Sequence, residues 1–177
     1  MFTLETERLL IRPWSETDRP RFQSIMAHPE VTQYVHRAQP YTEQEVDDFF
    51  ARQARQLAEH DLCMGALVEK STGTVIGIAG VQPLGEDLEI GWILGREQWG
   101  RGYATEAGAA AMRHVLHTVG RSRVVAIIDP ENEPSKRVAA RLGMAWDGRY
   151  TGAQLGHRTP EIVVDRFIRA KEVGSGR

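Results

Sequence analysis

Apolar side chains fall along this chain in two rhythms. In residues 7–12, 62–69, 74–81 and 88–94 they crowd into short runs rich in branched residues, the habit of strands. Pro13 ends the first run, Ser71-Thr72-Gly73 supplies turn chemistry between the second and third, and Pro83 and Gly85 precede the fourth. Residues 62–94 are therefore expected to form an antiparallel meander. Elsewhere the spacing is three and four, which puts Phe22, Ile25 and Met26 on one side of a helix over 18–26 that Pro29 stops or kinks. A second helix is expected after Thr42, where Glu45 completes a capping box and Val46, Phe49, Phe50 and Leu57 mark the apolar face.

In the second half, Gly108, Ala111, Met112, Val115 and Val119 share one face of a helix over about 105–119, closed by Gly120. Residues 124–128 form a near-continuous branched run, as in a strand covered on both faces. Residues 129–132 leave it, Pro134 opens another helix, Gly143 ends that helix, and 162–168 makes a last strand. The order strand, two helices, meander, helix, strand, helix, strand predicts a mixed α/β domain without internal repeats.

Composition narrows the partners. A chain of 177 residues fits one domain, expected over 1–172, with 173–177 as a flexible tail whose last four residues, Gly174-Ser175-Gly176-Arg177, have no apolar content. An apolar fraction of 41% and a charged fraction of 26% are ordinary for a soluble globular protein, and no apolar run is long enough for a membrane span. Glu5, Glu7 and Arg8 interrupt any secretion signal, so a cytoplasmic location is expected. A net charge of −2 argues against a nucleic-acid surface. Cys63 stands alone and reads as a small core residue. No metal is expected, because His114 and His117 lack a third ligand and read as a solvated face, and no Gly-x-Ser-x-Gly element supports a serine hydrolase.

The segment Trp99-Gly100-Arg101-Gly102-Tyr103-Ala104 stands immediately before a helix. Its two glycines let the backbone turn tightly and approach a ligand closely. At a helix start the first N–H groups lack partners and the macrodipole is positive, so the amides from Arg101 to Thr105 form a candidate anion site, best matched by a pyrophosphate. A plain tight connection is the alternative reading. A phosphate loop needs Lys followed by Ser or Thr after its last glycine, where Tyr103-Ala104 stand, which disfavours nucleotide triphosphate hydrolysis. The dinucleotide fingerprint fits better, yet Thr105 takes the place of its third glycine and the preceding strand belongs to a meander. Asp129 at a strand end suits a ribose contact, and nicotinamide binding stays an alternative.

Four segments taken together resemble the GCN5-related N-acetyltransferase (GNAT) family, in its ribosomal-protein alanine acetyltransferase-like branch. They are Thr6-Glu7-Arg8-Leu9-Leu10-Ile11-Arg12-Pro13-Trp14, Leu88-Glu89-Ile90-Gly91-Trp92-Ile93-Leu94, Trp99-Gly100-Arg101-Gly102-Tyr103-Ala104-Thr105-Glu106-Ala107, and Asn132-Glu133-Pro134-Ser135-Lys136-Arg137-Val138-Ala139-Ala140-Arg141-Leu142-Gly143-Met144. The resemblance implies a central, mostly antiparallel twisted sheet flanked by helices, with one parallel strand pair splayed. It implies acetyl-coenzyme A as cosubstrate, lying in that splay between 88–94 and 124–128. The pantetheine arm is then expected to pair with backbone at Trp92, Ile93 and Leu94, and the pyrophosphate to meet the amides of Arg101, Gly102, Tyr103, Ala104 and Thr105. Trp99 stands three residues ahead of Gly102, where the family's general pattern has Gln or Arg, a departure usual in the branch. Arg101, Arg137 and Arg141 are within the same segments and are candidates to reach phosphates.

Amide formation needs a neutral amine, whereas a typical primary amine has a pKa near the lysine value of about 10.4. A carboxylate at Glu89, on a strand beside the cofactor, is the candidate base, with Glu86 and Asp87 as loop reserves; the plain alternative is a charge facing solvent. A backbone N–H where the strands part is the candidate oxyanion donor. The Asn-x-x-Ser match at Asn132 and Ser135 carries over a cofactor-contacting amide and a sulfur-facing hydroxyl that can protonate the departing thiolate, although both residue types also cap helices. Tyr103 is the rival donor. The expected activity is N-acetylation by direct attack in a ternary complex, and the alternative is a non-catalytic coenzyme A sensor. Glu16, Tyr34, His36 and residues near 150–160, including His157 and Arg158, are candidates for the acceptor pocket. The modest acidic balance suits a cationic amine without selecting one, and a homodimer is a family-level expectation.

Overall fold

The three runs between residues 62 and 94 become β3 (Met64–Glu69), β4 (Thr74–Leu84) and β5 (Asp87–Leu94). The computed structural model describes residues 2–35 and 39–171, so His36 and the expected tail 173–177 lie outside the described residues. The β3–β4 ladder starts at Glu69 opposite Thr74, and β4 and β5 pair from Gly77 opposite Leu94 to Leu84 opposite Asp87. β4 therefore runs through Pro83 rather than stopping at Val81. Its pairing with β3 ends at Gly80 opposite Met64, so Pro83 lies where β4 has one neighbour and a missing N–H is tolerated.

β1 (Leu4–Glu5) and β2 (Leu9–Arg12) extend the meander beyond β3, while β6 (Arg123–Ile128), β8 (Val163–Ala170) and β7 (Ala145–Thr151) extend it beyond β5. The eight strands lie in the order β1-β2-β3-β4-β5-β6-β8-β7. All neighbours are antiparallel except β5 and β6, which are parallel and meet at one register pair, Glu89 opposite Val125. The mixed α/β class and the splayed parallel pair are thus as expected.

Alternate residues of each strand serve different layers. Leu9, Ile11, Leu88, Ile90 and Leu94 join the core under α4 (Tyr103–Arg113) and α5 (Glu133–Arg141). Leu10 and Ile93 pack instead with Phe22, Phe49 and Phe50 under α1 (Arg19–Met26), α2 (Pro29–Thr32) and α3 (Glu43–His60). Pro29 begins α2 rather than only ending α1, as suits a first-turn proline. The Thr42 capping box forms, with Glu45 N donating to Thr42 Oγ1 at 3.3 Å and Thr42 N donating to Glu45 Oε2 at 2.9 Å.

Four strands and α-helices are additional to the expected order: β1, the short α2, β7 and the short α6 (Gly152–Leu155). β7 has no apolar alternation because it is the sheet edge, with Trp146 61% exposed, and charge helps join it to β8: Arg149 donates to Asp165 directly opposite at 2.8 Å. The face expected to carry Val119 also changes. After α4 the helix widens over His114–Thr118, where Val119 N bonds back five residues to the His114 carbonyl, and that wider turn swings Val119 out while Leu116 enters the core.

At Gly77 β4 leaves no room for a side chain against β5, since a Cβ there would lie 2.2 Å from the Ile93 carbonyl oxygen. Gly77→Ala must push the two backbones apart and is expected to cost more than about 2 kcal/mol, read as a lowered urea midpoint. A parental midpoint would contradict this packing.

Candidate functional site

β5 delivers the chain to the glycine turn. After Leu94 comes Gly95 and a short 3-10 turn, Arg96–Gln98, followed by Trp99, whose indole Nε1 donates to the Leu94 carbonyl at 3.1 Å. Arg96 covers the Trp99 ring at 4.6 Å. Gly100 and Gly102 have φ of +76° and +78°, a left-handed conformation that strains any residue with a Cβ. A Cβ at Gly100 would meet nothing within 4 Å, so the space outside the turn is open. Gly102 is the N-cap of α4 and brings no side chain to its free amides, leaving the N–H groups of Tyr103, Ala104 and Thr105 without intrahelical acceptors. Arg8 fixes the turn from β2's approach: its Nη1 donates to the Arg101 carbonyl at 2.9 Å and its Nε to Glu106 at 2.6 Å. Glu106 also accepts from Thr6 Oγ1 at 2.6 Å, so it ties the chain's first strands to α4 besides complementing the helix dipole. The Arg101 side chain is exposed.

Tyr103 points inward from the same turn. It is buried, Arg8 lies over its ring at 4.5 Å, and its hydroxyl donates to Glu69 at the end of β3. Trp92 stands on the α4 face of β5, where Gly108 admits its ring: a Cβ at 108 would be 3.2 Å from it. Glu89, Gly91 and Ile93 take the opposite face. Beyond Glu89 no β6 residue pairs with β5, so Trp92, Ile93 and Leu94 lie along an opened strand edge.

Glu89 sits at the vertex of that opening. It is 7% exposed and accepts one hydrogen bond, from Gln82 Nε2 on β4 at 2.9 Å. Burial pushes its carboxyl up from the ordinary 4.5 to about 7, against the downward pull of the Gln82 hydrogen bond and the Arg158 charge. The expected alternative, a solvent-facing charge, does not describe it. The Cys63 thiol, by contrast, is pushed up to about 12 by burial and the nearby Asp61, which keeps it an inert core residue.

Four residues separate the end of β6 from the start of α5, on the diverging side of the pair. Asn132 caps it, its Oδ1 accepting from Ser135 N at 3.1 Å. Ser135 is half-buried, and among the described residues its hydroxyl makes no hydrogen bond. Arg137 and Arg141 are exposed. Capping and an available hydroxyl therefore coexist.

Other candidates lie apart. Glu16 is held by Arg19 at 3.0 Å at the outer start of α1. His114 packs edge-on against Phe2, with ring centroids 5.4 Å apart, rather than facing solvent. Among the described residues no group of three His, Cys, Asp or Glu could hold a metal, and no helix is long and apolar enough to cross a membrane. A surface hollow of about 610 Å³ lined by Gly85, Asp87, Arg121 and Arg123 lies at the opposite end of β5 and β6 from the glycine turn and is a separate feature. Sequence reasoning missed Gln82, Tyr41 and Arg52; the first could be found only from the β4–β5 register, which sets it opposite Glu89.

A family model described as an acetyltransferase (GNAT) domain matches residues 8–145. The uncharacterized N-acetyltransferase p20 of Bacillus licheniformis is 30% identical over 159 residues, covering 84% of this chain and 85% of that protein. The crystal structure of an acetyltransferase from Agrobacterium tumefaciens superposes with a TM-score of 0.80 at 28% identity, over 97% of this chain and 95% of the other. A ribosomal L7/L12 alpha-N-protein acetyltransferase in complex with coenzyme A shares the fold, with a TM-score of 0.77 at 16% identity over 96% of this chain and 98% of its own.

Because the folded carboxyl of Glu89 holds its proton more tightly than an unfolded one, the stability it allows is complete below about pH 4.5 and is lost as pH rises through about 7. Glu89→Gln is expected to melt above the parent at pH 8, by a margin on the order of 3 kcal/mol, and to match it near pH 4. Equal melting at pH 8 would mean that no buried charge is being carried.

Proposed function

Because the chain belongs to the GNAT acetyltransferase family, we propose that it transfers the acetyl group of acetyl-coenzyme A to a primary amine by direct attack, with both substrates bound at once. The observation that carries this reading is Glu89, a buried carboxyl poised near neutrality at the point where β5 and β6 part. The residues fit the cosubstrate on three counts. Gly100 leaves open space where a side chain would stand, the first amides of α4 have no side-chain cap, and β5 has a free edge beyond Glu89.

In this reading Arg101, Gly102, Tyr103, Ala104 and Thr105 offer backbone N–H groups to the pyrophosphate, and Arg101 and Arg137 add charge beside it. Trp99 and Gly100 shape the turn, and Asn132 borders the other side. Backbone at Trp92, Ile93 and Leu94 pairs with the pantetheine amides. The bound cosubstrate supplies an acetyl thioester. Glu89 takes a proton from the incoming amine, whose nitrogen bonds to the acetyl carbon as the carbon–sulfur bond breaks. An unpaired β5 N–H polarises the acetyl oxygen. Ser135 Oγ donates a hydrogen bond to the departing thiolate, which takes its proton from solvent as Glu89 gives up the amine's proton to solvent. Ser135 is assigned this role over Tyr103 because the Tyr103 hydroxyl is already committed to Glu69, whereas the Ser135 hydroxyl is available.

The alternative, a coenzyme A sensor without chemistry, predicts binding but no thiol release, and an amine panel with thiol detection separates the two. For the acetyltransferase, kcat/KM is expected to rise with pH through about 7, where Glu89 deprotonates, and Glu89→Gln to lack that limb and fall by about a hundredfold. Ser135→Ala is expected to lower kcat about tenfold or more with little change in cofactor Kd by titration calorimetry. An unchanged kcat in Ser135→Ala would remove the hydroxyl from the mechanism.

A further inference from the structure

On the sheet face that carries Glu89, two apolar clusters stand apart. One lies under α1, α2 and α3, and the other joins Leu84, Val125, Leu155 and Val164 beneath α6. The sheet floor between them is polar, with Gln82 bonded to Glu89. Tyr41 and Arg52 stand at the first cluster. The Tyr41 ring is 5.9 Å from Phe22, edge to face, and the Arg52 guanidinium is 5.3 Å from the Phe49 ring. Arg158 comes from the other side, on the connection between α6 and β8, within electrostatic reach of Tyr41, Arg52 and Glu89.

These two arginines lack the carboxylate that several others meet. Arg8, Arg12, Arg123 and Arg149 each meet a carboxylate at 2.6 to 2.8 Å. Among the described residues neither Arg52 nor Arg158 has an ion pair. Arg52 Nε is buried without a hydrogen-bond partner, and Arg158 Nη1 lies 3.4 Å from His157 Nε2. Asp48, one turn before Arg52 on α3, exerts a field on it but accepts from Gln44 Nε2 at 2.9 Å. Burial, and then the Arg158 charge, pull Arg52 down to about 10. Two like charges in each other's field, one of them with a buried and unpartnered Nε, are costly unless an anion completes them, and guanidinium groups are suited to carboxylate or phosphate oxygens.

We propose that the acceptor is a small primary amine that also carries an anionic group, carboxylate or phosphate, with the amine directed to Glu89 and the anion held between Arg52 and Arg158. This inference rests on the acetyltransfer reading and narrows its acceptor. It reverses the expectation of a cationic amine drawn from net charge, because the charge that selects a substrate is the local one. A polyamine would bring further positive charge against two guanidinium groups.

The test uses the full chain, saturating acetyl-coenzyme A and thiol release. The acceptors are the twenty amino acids and their amides, O-phosphoethanolamine and ethanolamine, and spermidine. The expected result is a higher kcat/KM for an anionic amine than for its neutral counterpart, the amino-acid and phosphate arms showing which anion is used. Arg158→Gln, on an exposed connection, is expected to lower the anionic-to-neutral ratio roughly ten- to hundredfold through KM. Arg52→Gln is expected to act in the same direction. Neutral amines or spermidine preferred by the parent, or an unaltered ratio in both variants, would overturn the anion subsite while leaving acetyl transfer in place. No thiol release with any of these amines would overturn the acetyltransfer reading as well.

Discussion

The parting of β5 from β6 after a single parallel pair governs the rest of this structure. In a sheet interior every backbone N–H and C=O needs a partner, and an opened edge between two central strands is costly unless something fills it. Here the pair Glu89–Val125 holds the strands at one point and then releases them toward the glycine turn and the start of α5. The two helix starts thus flank the mouth of the opening. An extended ligand with amides along its length and an anion at one end matches that arrangement in shape and polarity.

The same parting explains why a carboxyl can be buried at Glu89. Strand alternation turns it away from the α4 core, between two apolar clusters that do not meet, with one amide from Gln82 for company. A fully solvated glutamate would be charged at neutral pH, and a fully apolar site would keep it protonated. One hydrogen bond and the distant Arg158 charge leave it near the midpoint, the condition for proton exchange with an amine. That placement opposes stability, as functional groups in otherwise well-packed domains commonly do.

What could be read from the chain follows from how each feature is encoded. The meander, the Thr42 cap and the glycine turn are local patterns, and each formed where residue types placed it. β7 escaped because its stability comes partly from charge pairs with β8, such as Arg149 with Asp165, which have no signature in the strand itself. Val119 was misjudged because a widened helical turn breaks the spacing on which the apolar face was drawn. The burial of Glu89 depends on register with β4 and with Val125, 36 residues away, and the field of Arg158 on Arg52 joins segments 106 residues apart, beyond the reach of any local pattern. The GNAT segments were legible because they combine glycine geometry with a fixed order.

A structure of the chain with coenzyme A bound tests the central claim most directly. The account predicts pantetheine amides hydrogen-bonded to β5 at Trp92, Ile93 and Leu94, the pyrophosphate on the amides from Arg101 to Thr105, and the sulfur beside Ser135 Oγ. Coenzyme A seated away from the β5–β6 opening, or an opening closed by strand pairing beyond Glu89, would contradict it.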